Sequence, residues 1–129
     1  MLDHVGFSVA NFERSKDFYR RALAPLGLQL LMEVTEAQTG AGAHAGFGAA
    51  DKAFFWIGTG ERPKGGVHVA FTAATRDVVD AFHREALAAG GVDNGGPGLR
   101  PHYHANYYGA FALDPDGNNI EAVCHAPAD

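Results

Sequence analysis

Cysteine is nearly absent: Cys124 is the single thiol in 129 residues. No internal disulfide can staple the fold, which fits a reducing compartment, the cytoplasm. Positive charge is also scarce. Ten Lys and Arg face fifteen Asp and Glu, for a net charge of -5, and no Lys/Arg run occurs. That balance argues against nucleic acid or an anionic membrane as the main partner. Long hydrophobic runs are missing as well, since no apolar stretch approaches the ~20 residues that cross a bilayer. The start, MLDHVGFSV, has no basic segment ahead of a long apolar run. The partners left are a small molecule or another subunit.

What the chain does have is 47% apolar and 11% aromatic residues. This composition buries a core without staples, in one domain over residues 1–129. The buried reading of Cys124 is that of a small hydrophobe, with no chemistry assigned to it.

The sequence repeats itself. HVGFSVANFERSKDFYRRALAPLG, from His4, aligns without gaps on HVAFTAATRDVVDAFHREALAAGG, from His68, at an offset of 64 residues. His4/His68, Phe7/Phe71, Phe18/Phe82, Arg20/Arg84 and Leu23/Leu87 are among the identities. Each copy opens with an alternating segment that places its His on the polar face of a strand. A helix capped by Asn11 runs to about Leu23 and ends at Pro25 and Gly27; a second, capped by Thr75, runs through Ala89 to Gly90-Gly91. Short β-like runs follow, LQLLMEV, AHAGFGA and AFFWIGTG in the first copy. The pattern is β-α-β-β-β, twice, with a first module at about 1–62 and a second at about 65–126. No linker separates them, so they pack together as an α+β domain.

Near the C-terminus, LDPDGNNIEAVCH places Glu121 inside an apolar strand. Asp114-Pro115-Asp116-Gly117 carries the residues of a tight turn. With 114–117 as the loop, Leu113 lies opposite Asn118, Phe111 opposite Ile120 and Ala110 opposite Glu121. Glu121 then shares a face with Asn119, Val123, Ala110, Ala112 and Tyr108. A charge in such a strand is costly unless it is paired or bound to a metal. One reading pairs it with Arg100 or Lys64 across the cleft. The other joins it to His4 and His68, because imidazole and carboxylate suit a divalent first-row metal and the repeat brings the two His-led strands together.

LDHVGFSVANFERSKDFYRRALAPLG, its second His-led copy and AFALDPDGNNIEAV resemble the vicinal oxygen chelate superfamily, which holds glyoxalase I, bleomycin-resistance proteins, fosfomycin-resistance thiol transferases and type I extradiol dioxygenases. The resemblance covers almost the whole chain. It implies paired βαβββ modules whose mixed sheets form a cup around a cleft, with metal ligands on first and last strands, and usually a homodimer. Position by position, His4, His68 and Glu121 match three ligand positions. The fourth departs from the glyoxalase pattern: the offset of 64 sets Ile57 opposite Glu121, and no carboxylate, amide or His lies from Ala53 to Thr59.

Two His and one Glu match the facial triad of non-heme Fe(II) oxygenases. The leading expectation is therefore an enzyme with a divalent metal, Fe(II), Mn(II), Zn(II) or Ni(II), acting by dioxygenase-like, lyase or isomerase chemistry. Its small substrate chelates the metal through neighbouring oxygens. Phe55, Ile57 and Tyr108 would shape the pocket, and Tyr103, His104 or Tyr108 would supply a hydrogen bond or a proton. His44, His83, His102 and His125 read as solvated or structural. Two other answers stand beside it: a metal-free binding protein of the bleomycin-resistance type, and a fosfomycin-resistance-like thiol transferase. The latter needs cations for a phosphonate, with Lys64, Arg100 and Lys52 as candidates.

Overall fold

The computed structural model describes residues 1–64 and 66–128. Gly65, where the sequence reading starts the second module, and Asp129 lie outside the described residues. Two mixed sheets carry the fold. The first has four strands, β1 (Val5–Ser8), β2 (Gln29–Val34), β3 (His44–Ala49) and β4 (Lys52–Gly58), in the order β1-β4-β3-β2. The second has five, β5 (His68–Thr72), β6 (Val92–Asp93), β7 (Gly98–Leu99), β8 (Tyr108–Leu113) and β9 (Asn119–Cys124), in the order β5-β9-β8, with β6 and β7 both pairing β8. In each sheet the His-led strand runs parallel to the last strand. The strand expected after the second helix is split, because Gly95, Gly96 and Pro97 interrupt it between β6 and β7.

The helices begin where the caps predict. Asn11 accepts from the Arg14 amide ahead of α1 (Phe12–Ala22). A short turn, α2 (Glu36–Thr39), follows β2. Thr75 accepts from the Val78 amide ahead of α3 (Arg76–Ala88). Both long helices lay an apolar face on one shared core. Phe18, Tyr19, Phe47, Phe55, Phe82, Val79 and Ile120 are all fully buried there. Phe55 of β4 meets Phe71 of β5 edge to face at 5.3 Å, which joins the two sheets.

Polar contacts from the first module to the β8–β9 turn help tie the modules. The Tyr19 hydroxyl of α1 donates to the buried Asp114 carboxylate in the β8–β9 turn. The Ala10 amide donates to Asp116 Oδ2 at 3.1 Å. Burial, and then the Asp114 charge, push the Tyr19 phenol well above its usual range. The hairpin β3–β4 turns on Ala50 and Asp51, both with positive φ, at 52° and 66°. That is a two-residue connection whose left-handed residues match the twist of the strands. No helix among the described residues is long and apolar enough to cross a membrane.

Candidate functional site

The β8–β9 turn holds one residue more than the tight turn expected from its sequence. Asp114 Oδ1 accepts from the amides of Asp116 and Asn118, at 2.9 and 2.8 Å, and its Oδ2 accepts from the Asn118 side chain at 2.9 Å. The carboxylate thereby draws Asn118 into the loop, as Asp does when it folds its own backbone into a turn. Leu113 consequently faces Asn119, Ala112 faces Ile120, and Phe111 faces Glu121. The expected pairing of Ala110 with Glu121 is corrected by one residue, and a one-residue slip exchanges the faces of a strand.

That slip decides which tyrosine reaches the carboxylate. Tyr108 lies on the helix-covered face, where its hydroxyl donates to Asp80 of α3 at 2.6 Å and the Arg76 guanidinium sits 5.1 Å over its ring. The Asp80 bond, then burial, raise its phenol to about 12. The expectation that Tyr108 shares the face of Glu121 is thus wrong, and Tyr107 takes its place. The Tyr107 hydroxyl donates to Glu121 Oε2. Burial first, then the bond to Glu121 and its charge, lift Tyr107 to about 12. Gly109 makes room for the contact, since a Cβ there would lie 3.2 Å from both Glu121 Oε2 and the Tyr107 ring.

Glu121 is 2% exposed. Its other oxygen, Oε1, lies 3.3 Å from Nε2 of His68 on the neighbouring parallel strand. The His68 Nδ1 points at the Asn119 carbonyl, 2.9 Å away. A carbonyl only accepts, so Nδ1 carries the proton. The Nε2 lone pair then faces a carboxylate oxygen, an arrangement favourable only with a proton or a cation between them. Ligands bound at about 2.1 Å to one ion, at right or tetrahedral angles, stand roughly 3.0–3.4 Å apart. The pair therefore has the spacing and the fixed tautomer of two ligands of one metal, with the carbonyl in the orienting role such imidazoles require. The His68 ring stacks on Phe111 at 6.3 Å, and the Arg100 guanidinium sits 5.5 Å over that same ring.

His4 is placed elsewhere. It is exposed, its Nδ1 is 2.7 Å from Asp3 Oδ1, and Asp3 in turn holds Lys52 at 2.8 Å. With Val69 and Ala70 it lines a cavity of about 210 Å³ where the modules meet. Among the described residues no three His, Cys, Asp or Glu side chains are gathered where they would hold a metal ion. The structure thus brings together two of the three expected ligands, His68 and Glu121, and leaves His4 apart.

The module-one counterpart of Glu121 is also shifted. Val5 pairs with Phe55 and Gly6 with Trp56, whereas His68 pairs with Asn119 and Ala70 with Glu121. Counting from the repeated His, Gly6 matches Ala70, so Trp56 and not Ile57 stands where Glu121 stands. Ile57 and Phe55, expected to shape the pocket, are core residues at 1% and 0% exposure. Sequence alignment missed this because the second module is one residue longer between its first and last strands.

Tyr103 and His104 lie beside Tyr107. The Tyr103 ring is 4.8 Å from that of Tyr107 and 4.2 Å from His102. The Asn106 amide donates to His104 Nδ1 at 3.0 Å, so His104 carries its proton on Nε2 and donates to His125 Nδ1. His125, read from sequence as solvated or structural, meets Tyr107 edge to face at 5.4 Å. The segment from Arg100 to Tyr107 is folded tightly: the Arg100 amide donates to the Tyr107 carbonyl at 2.7 Å and the Tyr107 amide to the His104 carbonyl at 3.2 Å. His83 is structural, held to Asp93 at 2.9 Å. Arg100 donates to the carbonyls of Gly98 and Gly96, and Lys52 pairs with Asp3 on the surface.

The comparisons agree with this architecture. The family model described as Glyoxalase/Bleomycin resistance protein/Dioxygenase superfamily matches residues 1–122. A glyoxalase/bleomycin resistance protein from Albidiferax ferrireducens T118 is 28% identical, with a TM-score of 0.77, over 95% of this chain and 97% of that one. An E144Q mutant of glyoxalase I from Zea mays is 25% identical, with a TM-score of 0.68, over 95% of this chain and 46% of that one. The present chain therefore spans about half the length of the maize enzyme. No curated protein matches the chain by sequence. With the family model covering nearly its full length, the chain belongs to the Glyoxalase/Bleomycin resistance protein/Dioxygenase superfamily.

Proposed function

We propose that the protein is a divalent-metal-dependent enzyme acting on a small substrate that offers two neighbouring oxygens. The observation that carries the reading is the His68–Glu121 pair: a fixed tautomer aims Nε2 at a buried carboxylate oxygen 3.3 Å away. His68 and Glu121 hold the ion, and His4 completes a two-His, one-carboxylate set that leaves positions open for substrate. Because His4 stands apart from the pair in one chain, its place in the set is filled by a second copy, in a homodimer with two equivalent sites. When bound, the metal supplies Lewis-acid stabilisation of negative charge on a substrate oxygen.

The residues around the pair do the rest. Asn119 keeps the His68 proton on Nδ1, so the imidazole presents Nε2 whatever the substrate does. Tyr107 donates to Glu121 Oε2 and holds that carboxylate in one orientation. With its phenol raised to about 12, Tyr107 keeps its proton at neutral pH and donates it in the bond to Glu121. Tyr103, His104 and His125 pack around Tyr107 on its outer side and hold its ring in place.

The test is elemental analysis of protein prepared anaerobically and incubated with Fe(II), Mn(II), Zn(II) or Ni(II). Wild type should carry close to one ion per chain, and Glu121→Gln and His68→Ala should each lose at least ~10-fold in metal affinity. An empty wild type would instead support a metal-free small-molecule binder, the reading that Trp56 in the fourth ligand position favours.

A further inference from the structure

The segment after β9, residues 125–128, is exposed along its whole length. Residues 126–128 line a cavity of about 300 Å³ together with Thr75, Arg76 and Asp77 at the start of α3 and with Cys124. Among the described residues two hydrogen bonds reach the segment. One runs from the Cys124 thiol to the Ala126 carbonyl and is long, at 4.0 Å; the other runs from His104 Nε2 to His125 Nδ1, at 2.5 Å. The imidazole pair is therefore the main polar tether.

The geometry of the pair is narrowly defined. Its ring centroids stand 4.8 Å apart and its planes differ by 24°. With the two nitrogens 2.5 Å apart, that separation requires the rings to meet head to head, nearly in one plane, and not face on face. The Asn106 amide already donates to His104 Nδ1 at 3.0 Å. Each ring's one basic nitrogen thus faces an N–H, His104 Nδ1 that of Asn106 and His125 Nδ1 that of His104. A further proton on His125 would set two N–H groups against each other and break the tether. On His104 it would displace the Asn106 amide that fixes the ring.

No carboxylate steadies an added charge here, since the ion pairs of histidine among the described residues involve His4, His68 and His83. The Tyr107 ring stands across both imidazoles, at 72° and 89°, and its phenol stays neutral up to about 12. Tyr103 packs on Tyr107, and His102 on Tyr103. On the cavity side, Arg76 and Asp77 carry opposite charges.

We infer that the His104–His125 pair is a pH-sensitive latch: it holds residues 125–128 against the cavity while both imidazoles are neutral and releases them when His125 takes up a proton. Opening uncovers Cys124 and removes one of the rings that flank Tyr107. Proton uptake favours the open form, so the latch is shut at the alkaline end of the imidazole range and opens as pH falls through it. The latch is independent of the metal reading above.

Cys124, 1% exposed and the single thiol, reports on opening directly. Chelator-treated, metal-free protein is reacted with dithiodipyridine near the two ends of the imidazole range, about pH 8 and about pH 5. Each rate is divided by that of urea-unfolded chain at the same pH, which removes the thiol's own pH dependence. Wild type should lose at least about fivefold of its protection at the acid end, the worth of one hydrogen bond. His125→Asn offers an acceptor oxygen where Nδ1 stood but does not titrate, so it should stay protected at both ends. His125→Ala, which has no acceptor, should be unprotected at both. The inference is overturned if wild type is equally protected throughout, or if His125→Asn loses protection as wild type does. It is overturned as well if the loss comes with a change in far-UV circular dichroism, because the whole chain and not the segment is then opening.

Discussion

Glu121 is a carboxylate at 2% exposure in a strand whose other residues are mostly apolar. Burying it is tolerable only because two groups face it, the Tyr107 hydroxyl and His68 Nε2. The same contact governs Tyr107. Its phenol stands at about 12 against the usual 10, with burial the largest cause and the bond to Glu121 the next. A proton held more tightly in the folded chain than in the unfolded one stabilises the fold fully below pH 10, and that contribution is lost as pH rises through about 12. Tyrosinate absorbance in metal-free protein should accordingly show a transition near pH 12 to which Tyr107 and Tyr108 both contribute, and Tyr107→Phe should remove about half of its amplitude. In Glu121→Gln that half should move down, toward but not to 10, because burial remains. A Tyr107 transition unaffected by Glu121→Gln would break the assigned contact.

At the scale of elements, the β8–β9 turn shows both what the sequence reveals and where it stops. The hairpin and the burial of Glu121 follow from turn residues and apolar alternation alone. The register does not, because DPDG reads as a four-residue turn until Asp114 is seen to accept from Asn118 as well. That extra residue exchanges Tyr107 for Tyr108 at the site, a difference set by a side-chain bond that periodicity does not report. Asp114 is itself a junction, 3% exposed and bonded to Tyr19 of α1. Tyr19→Phe should lower the unfolding free energy by about 1–3 kcal/mol, read by denaturant titration, because a buried acceptor loses its donor. Metal content should not change, since the contact lies on the helix side of the sheet. Loss of metal with unchanged stability would mean that Tyr19 belongs to the site instead.

For the whole molecule, the repeat from His4 and His68 made the two-module plan legible, since matching strands and helices recur at one spacing. His125 beside Tyr107 and Trp56 opposite Gly6 were not legible, because each depends on how distant segments are laid against one another. The same limit applies to the site. Sequence offers three ligands, and one chain joins two of them, which is the basis for assigning the third to a second copy. The proposed dimer would have an isologous contact, each chain lending His4 to its partner's pair. The most direct test is a hybrid dimer of differently tagged His4→Ala and His68→Ala chains, refolded together, isolated through both tags and analysed for metal. Each variant alone should hold little metal. The hybrid should recover about half the wild-type content, because one of its two sites draws intact His4 from one chain and intact His68 with Glu121 from the other. A hybrid as empty as its parents would contradict the account and place all three ligands within a single chain.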